Sequence, residues 1–181
     1  MTVGGIDHTG YRGELKSHDL VKKLDLWWTL NYSGLAYDGE KMGKSEAKYA
    51  IMDTGTSIIY LPKTDYDNFR RKLHHIDELD CSDKYDFCVS KYHHCDDINP
   101  KLANFTILLD NVWYTIPPKG YTLPNEQGFQ CMVAISHIPD SEEIILLGDT
   151  FFRNFYTSFD YEKDVVSMGV NAAAYVGQRV E

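Results

Sequence analysis

The stretch AIMDTGTSIIYLP, residues 50–62, places an acid–small–glycine–small–serine turn between two apolar runs. Two buried strands with Asp53 at the tip between them are a costly arrangement, because an unpaired carboxylate loses several kcal/mol on burial. The stretch is therefore either a tolerated surface turn or a place where the carboxylate is used. Gly55 permits a tight turn and lets its backbone N–H approach the carboxylate oxygens. The Thr56 and Ser57 hydroxyls are spaced to donate to the same oxygens. Ala50, Ile51 and Met52 on one side, and Ile58 and Ile59 on the other, hold such a turn rigidly, as a site of defined geometry requires.

The full 181 residues supply one sizeable core and a single domain over 1–181. Eighteen basic against 27 acidic side chains leave a net charge of −9, which argues against nucleic acid or an anionic membrane as partner. An acidic chain also suits low pH, where protonating carboxylates relieves self-repulsion. No apolar run approaches the length of a membrane span, and the best is Ile144-Ile145-Leu146-Leu147. The opening MTVGGIDHTG lacks the basic start and apolar stretch of a secretory signal and reads as the middle of a folded unit. Cys81, Cys88, Cys95 and Cys131 allow three pairings. Two sequons, Asn31-Tyr32-Ser33 and Asn104-Phe105-Thr106, join the even cysteine count in pointing to an oxidising compartment.

Most of the chain reads as β. WWTLNYSGLAYDGE puts Trp28, Leu30 and Tyr32 on one face before an Asp38-Gly39 turn. NFTILLDNVWYTIPP is a strand, an Asp110-Asn111 turn and a second strand. EIILLGD is a short apolar strand stopping at Gly148, and a one-turn helix follows with Asp149 near its N-terminus. YTSFDYEKDVVSMGV is a closing hairpin turning at Glu162-Lys163-Asp164. One longer helix is expected, capped by Thr64, with Asp67 in its first turn and an apolar stripe of Tyr66, Phe69, Leu73 and Ile76. Residues 77–100, polar and rich in His, Cys and Asp, read as a stapled loop.

Taken with its neighbours, the Asp53 stretch resembles the active-site loop of the pepsin-like aspartic proteases, where two apolar residues and Asp-Thr-Gly-Thr-Ser mark the second lobe. Gly4-Gly5-Ile6-Asp7 upstream, Leu146-Leu147-Gly148-Asp149 downstream and the closing FFRNFYTSFDYEKDVVSMGVNA match further family motifs in order and separation. The resemblance implies an all-β-dominated, pepsin-like acid protease lobe with one or two short helices. It also implies peptide-bond hydrolysis in acid, by water activated between two carboxylates sharing one proton. Asp53 is then the second-lobe catalytic member. Gly55 and Thr56 grip the substrate backbone; Tyr11, Ile51 and Leu146 line pockets on the leaving-group side, with Ile138 as a further candidate. Thr54 and Ser57 support the loop, Thr54 by tying it to the other lobe. There is no second Asp-Thr-Gly or Asp-Ser-Gly here, so the chain is expected to act with an N-terminal lobe of the same protease, on a peptide or protein substrate, and to be inactive alone. A processed two-chain enzyme and a homodimer are the other arrangements that would complete the pair. The rival function is a non-catalytic binding or inhibitor-type module on the same fold.

The resemblance also pairs Cys95 with Cys131 and leaves Cys81 to close a short loop with Cys88. A zinc site built from Cys81, Cys88, Cys95, His93 and His94 is the alternative, but two six-residue spacers fit poorly with the short C-x₂₋₄-C knuckle of zinc sites. The expectation is therefore no metal and no cofactor, in the secretory pathway, a lysosome or vacuole, or outside the cell. His74-His75 read as favourable charge at the helix C-terminus.

Overall fold

β-Branched and aromatic residues recur at strand spacing through the chain, and the computed structural model is strand-dominated accordingly. It describes residues 1–22, 27–43, 45–82, 85–125, 128–139 and 143–181. In chain order come β1 (Tyr11–Asp19), β2 (Thr29–Tyr37), β3 (Glu40–Lys41), β4 (Tyr49–Met52), β5 (Ile59–Leu61), α1 (Lys63–Leu73), β6 (Leu79–Asp80), β7 (Val89–Ser90) and α2 (Cys95–Ile98). Then follow β8 (Phe105–Leu109), β9 (Val112–Ile116), α3 (Pro118–Tyr121), β10 (Thr122–Pro124), β11 (Cys131–Val133), β12 (Ile135–His137) and β13 (Ile144–Leu147). The last elements are α4 (Asp149–Phe152), β14 (Phe155–Asp160), β15 (Val165–Asn171) and β16 (Arg179–Val180).

The largest sheet runs β12-β5-β13-β4-β2-β8-β9-β16, with β3 beside β2. A second sheet is ordered β1-β15-β14, and a third β10-β11-β7-β6. Two hairpins owe their register to their turns. Asp38 and Gly39, at φ 54° and 74°, and Asp110 and Asn111, at 44° and 64°, all take the left-handed backbone that two-residue hairpin loops demand. Beneath the large sheet α1 buries Tyr66, Phe69 and Leu73, and the Phe69 ring meets Tyr37 and Phe105 edge-on at 5.5 and 5.1 Å. Burial of each such side chain contributes about 1.5–3 kcal/mol. On the opposite flank His18 of β1 clips two sheets together. It lies 2.5 Å from the Tyr114 hydroxyl on β9 through Nε2 and 3.3 Å from an Asp110 carboxylate oxygen through Nδ1.

Several local expectations are corrected. Thr64 does not cap α1, which starts two residues earlier than that cap implies, at Lys63 behind Pro62, where a φ of −54° sets the chain up for the first turn. The first-turn acid is Asp65, fully buried; Asp67 instead forms an ion pair with Lys63 one turn back, at 2.6 Å. Ile76 lies beyond the helix end yet is buried with the stripe. Residues 77–100 are not one loop, since β6, β7 and α2 lie there. Cys81–Cys88 closes the base of the β6–β7 hairpin, and Cys95–Cys131 ties α2 to β11. With all four sulfurs in disulfides, the cysteine ligands of the zinc alternative are consumed. The described residues hold four helices rather than one or two, three of them only four residues long. No helix among the described residues is long and apolar enough to cross a membrane.

Candidate active site

Strand β4 runs out of the sheet at Met52, and the next residue is Asp53. The chain turns over residues 53–58 and returns as β5, while β13 threads between the two strands, parallel to β4 and antiparallel to β5. Leu147 therefore faces Met52 on one side and Ile59 on the other, and its carbonyl accepts the Asp53 N–H at 3.0 Å. After β13 the backbone passes directly under the turn. Asp149 N–H donates to Thr56 O at 2.8 Å, and both the N–H and the hydroxyl of Thr150 donate to Ser57 O at 3.1 Å. Only glycine fits at position 148, where a Cβ would stand 2.2 Å from Thr56 O and 2.6 Å from Ile58 O. The apolar–apolar–glycine motif thus has a steric cause: β13 must slide beneath the turn without a side chain.

The Asp53 carboxylate is gripped on both oxygens. Gly55 N–H donates to Oδ1 at 2.9 Å and the Thr56 hydroxyl to Oδ2 at 2.5 Å. The residue remains half-buried, with Thr54 and Gly55 exposed beside it, whereas Ala50, Ile51, Met52, Ile58 and Ile59 beneath are buried. Such a group is fixed in orientation yet open on one side, which suits it to accept a proton from, or return one to, a molecule in a cleft.

The remaining candidates divide by place. Ile51 lies two residues before Asp53 on β4, hence on the same strand face, and pairs with Leu146 of β13. Thr54 stands at the tip and its side chain makes no hydrogen bond among the described residues. The expected Ser57 hydroxyl contact with Asp53 is not formed; Ser57 contributes its carbonyl, to Thr150, because the turn directs that side chain outward. Tyr11 begins β1 in another sheet, its hydroxyl 2.8 Å from His8 Nδ1 and its ring 5.3 Å from that of Tyr156. Ile138 follows β12, which runs parallel to β5, and its N–H donates to Leu61 O at 2.8 Å. That register puts Ile138 at the end of β5 remote from Asp53. Thr150 and the Leu147 carbonyl escaped the sequence reading. Their roles arise from the threading of β13, which the Leu146-Leu147-Gly148-Asp149 motif marks without showing which of its groups touch the turn.

A family model described as Eukaryotic aspartyl protease matches residues 1–171. Similar curated proteins include Plasmepsin IV of Plasmodium falciparum, 30% identical over 94% of this chain and 35% of that protein. Pregnancy-associated glycoprotein 4 of Ovis aries is 29% identical over 93% of this chain and 41% of its own length. Pepsin-3 of Oryctolagus cuniculus is 27% identical, over 96% and 42%. The chain thus spans only 35–42% of the length of these relatives. Threaded turn, glycine crossing and family match agree, and the chain belongs to the eukaryotic aspartyl proteases.

Proposed function

We propose that this chain supplies one carboxylate of a two-carboxylate endopeptidase site, and that the other comes from an N-terminal lobe of the same protein. One observation carries the reading: Asp53 is held on both oxygens from within its own turn while its outer side stays open. In the complete site the ionised carboxylate takes a proton from a water as that water attacks the scissile carbonyl. The protonated one hydrogen-bonds the carbonyl oxygen and then delivers its proton to the leaving nitrogen. Two carboxylates this close favour sharing one proton over ionising together, so the site works in acid.

Ile51 and Leu146, adjacent and on the carboxylate's side of the sheet, form part of the apolar wall for a peptide substrate. Gly55 contacts the substrate backbone, and Thr54, exposed at the tip, meets the matching turn of the other lobe. Two disulfides fit an oxidising compartment, the secretory pathway or an acidic organelle fed by it. The test is Asp53→Asn in the complete protein, which abolishes peptide cleavage at acid pH and leaves the fold intact. Retained acid proteolysis would refute the role of Asp53. This chain alone turns over negligible peptide; activity rising with the square of its concentration would instead mark a homodimer.

A further inference from the structure

Residues 172–181 lie outside the stretch matched by the family model, yet they are built into the molecule. β16 adds to the free edge of β9, pairing Arg179 with Thr115 and Val180 with Tyr114, and Trp113 and Glu181 exchange hydrogen bonds of 2.7 and 3.0 Å. Covering an edge strand is useful in itself, but the segment also sends one side chain inward. Gln178 is only 8% exposed, and its Nε2 donates to Asn154 Oδ1 at 2.7 Å.

Asn154, 1% exposed, has no freedom to answer differently. Its Nδ2 donates to Gly120 O at 2.9 Å and to Thr150 O at 2.7 Å, so two carbonyls fix which end of the amide is nitrogen. Its oxygen therefore faces Gln178 and requires a donor there. Gly120 makes room for this, since a Cβ at that position would lie 2.2 Å from Asn154 Oδ1. Beyond Asn154 the connection continues without a gap. Thr150, fully buried, donates twice to Ser57 O, and Asp149 N–H donates to Thr56 O. Thr56 is the residue whose hydroxyl holds Asp53 Oδ2.

We propose that Gln178 is a positioning residue for the Asp53 turn, with the terminal segment acting as a strap that fixes α4 and, through Asn154 and Thr150, the underside of the catalytic loop. The chain of contacts is physical and continuous, with the Gln178–Asn154 and Asn154–Thr150 links buried and those at the Asp53 turn part-buried. It rests on the proposed catalytic role of Asp53 and touches no substrate itself. Small misplacement of a catalytic group is expensive, so its signature belongs in kcat rather than KM.

The experiment uses the complete protein, with peptide cleavage followed across pH for wild type, Gln178→Met, Gln178→Glu and Asp53→Asn. Gln178→Met, similar in size but unable to donate, lowers kcat about tenfold with little change in KM. Gln178→Glu can donate only while its carboxyl is protonated. Its activity relative to wild type is therefore near unity in strong acid and falls about tenfold as that carboxyl ionises, a pH dependence that lost packing would not produce. Wild-type kcat in both variants, or an equal deficit for Gln178→Glu at every pH, would overturn the proposal. Cleavage surviving in Asp53→Asn would remove the catalytic reading instead, whatever Gln178 does. If Gln178→Met does not fold, the pH profile of Gln178→Glu decides alone.

Discussion

Asp53 and Asp65 are carboxylates on either side of β5 in the same strand–turn–strand–helix unit, and the chain handles them in contrary ways. Asp65 is fully buried and saturated, accepting from Ser45 N–H at 2.5 Å, the Ser45 hydroxyl at 2.8 Å and the Tyr32 hydroxyl at 2.8 Å. Burial, then the Asp65 charge, push ionisation of the Tyr32 hydroxyl far above its ordinary range, so it stays a donor. The donors to Asp65 come from β2 and from the segment leading into β4, while Asp65 itself sits on α1, so the group is a rivet. Asp53 has two donors from its own turn and an open side. The contrast separates a carboxylate consumed by the fold from one presented by it. An acidic side chain in a strand-rich core needs partners in either case; what marks function is the side left without them.

The sharpest way to break this contrast is to exchange charge for a neutral amide at Asp53. In the complete protein Asp53→Asn is expected to lower acid peptidase activity by about 10³-fold or more, while thermal unfolding shifts by no more than about 2 °C. Removing the rivet should do the reverse. Asp65→Ala strands buried donors of Ser45 and Tyr32 and costs about 3 kcal/mol of stability, measured by denaturant unfolding. Thr56→Val probes the grip: with one donor gone from Asp53, kcat falls about tenfold while the unfolding midpoint hardly moves. The smallest effect is expected at Asp110. Burial raises its pKa, but hydrogen bonds from His18 and Asn31 outweigh that and hold it below the ordinary carboxylate value. A lowered folded pKa means stability that is present above the unfolded value, about 3.9, and lost as pH falls through the folded one. Asp110→Asn should therefore be less stable than wild type near neutrality by about 1 kcal/mol or less, and the two should converge in strong acid when melted side by side.

Much of the architecture was legible because it is encoded locally. Asp38-Gly39 and Asp110-Asn111 both adopt the left-handed turns their residue types favour, and β13 ends at Leu147, directly before Gly148, as its apolar run does. The closing hairpin and the one-turn α4 also stand where expected. Legibility failed where a piece was too short to show a period. β6, β7 and α2 have two, two and four residues, and their placement depends on disulfides and on partners such as β11. The start of α1 was misplaced because Pro62 set the backbone before Thr64 could cap it. At the site, Asp53 and the donors Gly55 and Thr56 were readable from adjacency. The supports contributed by Thr150, and by Asn154 and Gln178 behind it, were not, because sequence-distant strands bring them there.

The role of Asp53 depends on where its open side points in the whole protein, and a structure of that protein with a peptide-like inhibitor bound answers this directly. The prediction is an Asp53 carboxylate oxygen within about 3 Å of a second carboxylate from the N-terminal lobe, with the inhibitor's scissile-bond mimic against both. An Asp53 facing away from the inhibitor, or a neutral residue standing opposite it, would contradict the account.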